Sequence, residues 1–324
     1  MHTDELVTVV IPAANEAAYI GACVESVRGQ TYDRLQILVV DGASTDATAE
    51  LIRTSMQCDP RIELIHNPRR NIPSSLNLAL EKARGRWLVR VDAHSTVGPD
   101  YVGLAVERLR EGRWGGVGGR KDAVGRTPAG RAIAVAMSSR LGVGNSRYHF
   151  GTAQQEVDHV GFGAYPTEVV RNAGGWDERL FANEDFEFDY RLRKAGAKLL
   201  LDPRLVVSWE CRQSVADLFR QYYRYGQGKA DVLQLHPTSL GPRHVAPPAL
   251  ILYAALSVVV GARRPRRAVA MLGPYALGVA VESVRCAHRL DSSGERARLP
   301  AAFVAMHVGW GLGFWRGLLG RQRR

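Results

Sequence analysis

At 324 residues, with 46% hydrophobic and 23% charged side chains, the chain has the composition of one large or two ordinary globular domains, which excludes general disorder. Its four cysteines (Cys23, Cys58, Cys211, Cys286) lie far apart with no Cys-x-x-Cys pair, which argues against a zinc site or disulfide framework and fits a reducing compartment. The formal net charge of +11 is unevenly placed: residues 1–240 hold 30 Lys and Arg against 29 Asp and Glu, whereas 241–324 hold 13 Arg against Glu282, Asp291 and Glu295.

The N-terminal stretch Met1-His2-Thr3-Asp4-Glu5 is acidic and runs straight into a strand, so no signal peptide is expected. Leu6–Pro12 reads as a buried strand and residues 17–29 as a helix. Leu35–Asp41 is a second strand, followed by a Gly-Ala-Ser-Thr-Asp turn and a helix from about Ala47. Residues 61–65 form a third strand, 74–84 a helix and 86–91 a fourth strand. Strands alternating with helices of this length predict an α/β fold, a mostly parallel sheet flanked by helices. Residues 115–119 and 140–160 read as loops or β-elements suited to a second substrate. A helix over 184–195, a strand near 197–201 and a helix around 214–227 complete a region ending near residue 240.

Beyond Pro247-Pro248 the composition changes. Residues 249–262, 268–281 and 299–315 are apolar, at the short end of the roughly 20 residues a membrane-spanning helix needs. The arginines punctuate these segments instead of lining one polar face, which points to an anionic membrane surface and away from nucleic acid. Basic clusters at 263–267, 285–298 and 321–324 would all prefer the cytoplasmic side. Single independent spans cannot satisfy that, whereas re-entrant or interfacial helices can.

Five constellations carry the chemistry. Pro12-Ala13-Ala14-Asn15-Glu16 closes the first strand; its Asn and Glu line a pocket or simply start a helix. Asp41-Gly42-Ala43-Ser44-Thr45-Asp46 follows the second strand: Asp41 is placed to accept bonds from a ribose or base, and Gly42 permits close approach, whereas Asp46 reads as an Asx-turn before the next helix. Asp92-Ala93-His94 ends the fourth strand with an acid and an imidazole able to hold a divalent cation against a diphosphate. Asn183-Glu184-Asp185 opens a helix carrying Glu187, Asp189 and Arg191. First-turn acids suit the helix dipole and Glu187 can pair with Arg191, which leaves Glu184 and Asp185 to face a cleft, where a carboxylate can serve as general base. Gln221 and Arg224, one turn apart in Gln221-Tyr222-Tyr223-Arg224-Tyr225-Gly226, can grip a diphosphate or an acceptor, or belong to a packing surface.

In their order along residues 6–230 these constellations resemble the family 2 glycosyltransferases of GT-A fold. Arg90-Val91-Asp92-Ala93-His94-Ser95, Asn67-Pro68 before Ile72-Pro73, and Arg220–Gly226 resemble the succinoglycan-biosynthesis glucosyltransferase subgroup, which also has a hydrophobic C-terminal region. The resemblance implies an inverting hexosyltransferase acting on a nucleotide-sugar, with UDP-glucose suggested, and on a lipid-linked or saccharide acceptor in envelope or exopolysaccharide synthesis. Its domains would be a catalytic region over 1–240, on the cytoplasmic face of the cell membrane, and a basic apolar region over 241–324. It implies nucleotide-sugar contacts at Pro12, Glu16, Asp41, Asp92, Gln221 and Arg224, a Mg2+ or Mn2+ ion at Asp92 and His94, and Asp185 with Glu184 as the catalytic pair. Arg69, Arg70 and Lys229 are further candidates for phosphate or acceptor contacts. His94 stands where most relatives have a second Asp, as a metal ligand or a phosphate contact; Tyr225 stands where they have Trp, so single addition is expected over processive synthesis. A nucleotidyltransferase would show a Gly-rich loop where Ala13-Ala14-Asn15-Glu16 stands, and a silent membrane scaffold would not need Asp92 and Asp185 together.

Overall fold

A computed structural model describes residues 5–320, so the expectations for Met1–Asp4 and for the basic cluster at 321–324 lie outside the described residues. The chain divides into two compact units, Met1–Asp122 with Phe150–Trp209, and Ala123–His149 with Glu210–Arg324.

In the first unit the chain runs through β1 (Val7–Ala13), α1 (Ile20–Arg28), β2 (Leu35–Asp41), α2 (Thr48–Cys58), β3 (Ile62–His66), α3 (Ile72–Lys82) and β4 (Trp87–Arg90). Next come β5 (Ser95–Val97), α4 (Tyr101–Leu109) and β6 (Gly116–Val124). After α5 (Pro128–Met137) and α6 (Arg140–Val143) of the second unit, it continues with β7 (Gln155–Val157), β8 (Ala164–Pro166), α7 (Thr167–Asn172), α8 (Glu184–Lys194) and β9 (Leu199–Glu210).

The sheet order is β3-β2-β1-β4-β8-β6-β9-β5, with β7 on β9. From β3 to β4 the pairing is parallel, as the βα alternation predicts. β1 and β2 are buried along their whole length, which requires cover on both faces and explains their unbroken apolar runs. β8 runs antiparallel to β4 and β6, and β9 antiparallel to β5 and β7. The strand expected near 197–201 is the start of β9, whereas β5, β7 and β8 are three residues each, too short to show a period. Gly116–Gly119 of the glycine run are strand: a Cβ on Gly119 would lie 1.6 Å from the Leu205 carbonyl oxygen, so only glycine lets β6 approach β9 so closely.

The second unit comprises α5, α6, α9 (Val215–Leu235), α10 (Pro242–Gly261), α11 (Pro265–Ala287), α12 (Ser293–Arg296) and α13 (Leu299–Gly320). α5 was not predicted; its glycine and β-branched residues weaken the helical signal, and Thr127 starts it by accepting a bond from the Gly130 N–H at 2.9 Å. α10 begins at Pro242 and runs through Pro247-Pro248, where the sequence suggested a boundary. α10 and α11 are long and apolar enough to cross a membrane. α13 packs along α9, with Ala302, Phe303, Met306 and Phe314 among its buried residues.

Candidate active site

The ends of β1, β2 and β4 open on the same side because these strands are adjacent and parallel. Ala13 and Asp41 are in register, and the Gly42 N–H donates to the Ala13 carbonyl at 2.7 Å. Asn15 ties the two loops together: its side-chain oxygen accepts from the Thr45 N–H at 2.8 Å and its N–H donates to Ser44 Oγ at 2.9 Å. Asp41 is buried beside the Ser44 N–H, with the His66 ring 3.9 Å away. Asp46 accepts from the Thr48 N–H at 3.0 Å and hydroxyl at 2.6 Å, the local turn role expected of it. Pro12 is buried within β1 opposite Val40.

Asp92-Ala93-His94 forms the turn between β4 and β5, closed by the Ser95 N–H on the Asp92 carbonyl at 2.9 Å. The Asp92 carboxylate accepts from Arg90 Nε at 2.7 Å, and His94 Nδ1 lies 3.2 Å from Glu16 Oε1. Among the described residues no group of three or more His, Cys, Asp or Glu side chains can enclose a metal ion. The donor set nonetheless suits a divalent cation. A carboxylate and an imidazole on one turn, both partly exposed, leave coordination positions for diphosphate oxygens and water, the usual arrangement for Mg2+ or Mn2+ with a phosphorylated substrate.

Helix α8 supplies the second half. Phe188 is buried between Trp176, at a ring distance of 4.9 Å, and Tyr165, at 5.2 Å edge-on; this fixes the helix and presents Glu184 and Asp185 at its N-terminus. There the helix dipole favours carboxylates. Glu187 pairs with Arg191 at 2.7 Å, as the spacing predicts. Glu184 is buried and accepts from Arg90 Nη1 at 3.1 Å. The Asp185 side chain is 31% exposed and faces His159 Nε2 at 3.7 Å. Burial and the neighbouring Asp185 carboxylate push the Glu184 carboxyl up to about 7, against the pull of Arg90. Burial also acts against the charge of Asp185, but His159, Arg90 and Lys121 outweigh it and hold its carboxyl below the ordinary range. The pair therefore divides: Asp185 is the ionised, accessible member.

Arg90, Lys121, His159 and Trp209 were not singled out from the sequence. Lys121 Nζ sits 4.0 Å from the Phe162 ring and 4.8 Å from that of Trp209, and burial lowers its pKa while Asp92 and Asp185 oppose the shift. One signal was available: a guanidinium inside the apolar run Trp87–Val91 has to be paired if it is buried. Backbone conformation marks the same loops. Asn15 (φ 57°), Ala43 (51°), Phe162 (57°) and Asn183 (62°) are non-glycine residues in the left-handed region, a strain that concentrates at functional sites.

Of the remaining candidates, Arg69 pairs with Glu178, and Arg70 is left-handed at φ 57°. Gln221, Arg224 and Lys229 lie on α9 in the second unit. Gln221 is buried with its side-chain oxygen unbonded, and Lys229 is buried with Nζ donating to the Ser239 carbonyl at 3.3 Å.

Residues 8–171 match the model of the family described as glycosyl transferase family 2. The chain is 33% identical over 334 residues to the succinoglycan biosynthesis protein ExoA of Rhizobium meliloti (strain 1021), spanning 100% of this chain and 99% of that protein. It is 27% identical over 233 residues to the dolichyl N-acetyl-alpha-D-glucosaminyl phosphate 3-beta-D-2,3-diacetamido-2,3-dideoxy-beta-D-glucuronosyltransferase of Methanococcus voltae, covering 69% of this chain and 72% of that one. Its fold is similar to that of the mannosyltransferase PcManGT from Pyrobaculum calidifontis, solved in complex with GDP-Man and Mn2+. The TM-score is 0.66 at 22% identity, over 98% of this chain and 88% of that chain.

Proposed function

Since the chain belongs to glycosyltransferase family 2, we propose that it moves a sugar with inversion from a UDP-sugar to a hydroxyl of a lipid-linked or growing saccharide in envelope or exopolysaccharide assembly. The protein is a glycosyltransferase of GT-A fold with an ExoA-like relative in exopolysaccharide biosynthesis. The acceptor class draws support from the Methanococcus voltae relative, whose name specifies a dolichyl-phosphate-linked sugar.

The carrying observation is that Arg90 bridges Asp92 and Glu184, tying the strand-end acid to the helix that bears Asp185. Asp41, with Glu16, binds the nucleoside, Gly42 lets the donor approach the backbone, and Pro12 shapes the end of β1. Asp92 and His94 hold Mg2+ or Mn2+, which when bound supplies charge neutralisation for the departing diphosphate. The Mn2+ in the PcManGT structure supports a divalent ion of this kind. Asp185 takes the proton of the acceptor hydroxyl as that oxygen attacks the anomeric carbon. Glu184 braces Arg90. Gln221 and Arg224 are assigned to the donor diphosphate or the acceptor on the family resemblance. Helices α10 and α11, with the arginines at 263–267 between them, attach the protein to the anionic cytoplasmic leaflet.

The test is release of UDP from a panel of UDP-sugars with Mn2+ present, by the wild type and Asp185→Asn. We expect wild-type turnover and a loss of roughly 10²-fold or more in the variant. Unchanged turnover in Asp185→Asn would remove the base assignment, and failure of every sugar nucleotide to bind would remove the donor assignment.

A further inference from the structure

We propose that His159, clamped by Asp189, is the positioning residue that orients Asp185 and keeps it ionised. The proposal rests on the reading of Asp185 as the base. Asp185 and Asp189 are one turn apart on α8, and the ring of His159 lies against both: Nδ1 is 2.7 Å from Asp189 Oδ2 and Nε2 is 3.7 Å from Asp185 Oδ2. Asp189 is fully buried and saturated. It also accepts from the Val160 N–H at 2.8 Å and the Tyr165 hydroxyl at 2.9 Å.

These bonds define the chemistry of the ring. A buried carboxylate with three donors holds Nδ1 protonated and its plane fixed, so Nε2 is the atom turned toward Asp185. A second proton on Nε2 makes the ring an imidazolium between two carboxylates. It neutralises the buried Asp189 and places its remaining field on the base. The Phe186 ring, 5.8 Å from the imidazole, and the burial of His159 exclude water from that contact and strengthen it. The Phe186 N–H, donating to Asp185 Oδ1 at 2.7 Å, fixes the other oxygen, so Oδ2 is the oxygen His159 governs. The remaining charged groups around Asp185 are Glu184 on α8, Arg90 on β4 and Lys121 on β6.

The experiment is the pH profile of kcat for UDP release from UDP-glucose with Mn2+, for the full-length wild type, His159→Gln and Asp189→Asn. Removing the cation raises the pKa of Asp185, so activity is lost at a higher pH. The acidic limb should move up by about one to two pH units. At pH 7, above that limb, kcat should change by less than about twofold, with the donor KM also within about twofold. Glu184, pushed up to about 7, titrates above this limb, so the shift is repeated in a Glu184→Gln background, which removes that second titration, and should persist there. A limb that stays in place in a folded His159→Gln protein, or a uniform fall in kcat at every pH, overturns the proposal. If His159→Gln does not fold, Asp189→Asn is read by the same criteria. If neither folds, 15N-histidine NMR of the wild type decides. The ring that responds to Asp185→Asn should carry both nitrogen protons at pH 7, and a single proton there overturns the proposal. Asp185→Asn activity separates the two readings: if that variant turns over like the wild type, the base reading fails whatever His159 does.

Discussion

Arg90 donates from Nη1 to Glu184 at 3.1 Å while its Nε bonds Asp92 at 2.7 Å, so one buried guanidinium holds together two acids 92 positions apart in the chain. Burying a cation between carboxylates costs desolvation energy, but removing it alone costs more because it leaves buried charge uncompensated. Arg90→Met leaves both acids buried without their partner and should destabilise the first unit by about 3–5 kcal/mol. Thermal unfolding measures it, and an unchanged Tm would dismiss the clamp.

Glu184 gives a pH test. Its folded-state pKa is raised to about 7 by burial and by Asp185, above the ordinary value of 4.5. The folded state therefore holds this proton more tightly than the unfolded chain. The stabilisation is complete below about pH 4.5 and is lost as pH rises toward 7. Glu184→Gln keeps a neutral side chain at every pH. Relative to the wild type, the variant should gain stability between pH 5 and pH 8, read as the difference in Tm. A constant difference across that range would contradict the raised pKa.

How much of this was legible follows from where each residue's signal lies. Asp41 and Asp92 were readable because an acid ending an apolar run is a local pattern, and β1, β2 and β4 pair as such runs predict. Glu184 and Asp185 were readable as an excess of first-turn acids. His159 and Lys121 were not. Lys121 follows the glycine run on the nine-residue β6, a run that reads as loop as readily as strand, and His159 lies on the loop between β7 and β8, strands of three residues that leave no periodicity to read. The continuation of α10 through Pro247-Pro248 was hidden because proline is read as a stop. The Pro248 carbonyl is instead taken up by the Trp315 indole N–H at 2.9 Å.

His94 tests metal preference. It faces Glu16 at 3.2 Å, so His94→Asp sets a carboxylate beside another and increases the demand for a bound cation. Oxygen donors favour Mg2+ relative to a site with imidazole. His94→Asp should retain metal-dependent turnover with the ratio of Mg2+- to Mn2+-supported rate raised severalfold, whereas His94→Ala should lose most of it. Equal metal ratios in the wild type and His94→Asp would place His94 outside the coordination sphere.

Packing of α13 on α9 depends on missing side chains. A Cβ on Gly313 would lie 2.0 Å from the Tyr223 carbonyl oxygen, and one on Gly226 2.1 Å from that of Trp310. Neither backbone can yield without separating the helices. Gly313→Val should cost roughly 1–3 kcal/mol by overpacking, seen as a lower Tm in detergent. An unaltered Tm would mean that the two helices are not held at this spacing.

The outer faces of α10 and α11 separate a membrane surface from a bare apolar one. Val258 is 70% exposed on α10, and Val269 and Val284 are 73% and 75% exposed on α11, whereas Val279, Ser283 and Cys286 on α11 are buried. Large exposed apolar faces of this kind mark a binding or membrane surface. If a bilayer covers them, a carboxylate there costs several kcal/mol at depth and less near the interface. Val258→Asp combined with Val284→Asp should then move the protein from the membrane pellet to the soluble fraction. Neutralising Arg263, Arg264, Arg266 and Arg267 should instead make membrane binding weaker at low salt and less sensitive to added salt. If the double aspartate variant pellets with membranes as the wild type does, these faces are not the ones in contact with lipid.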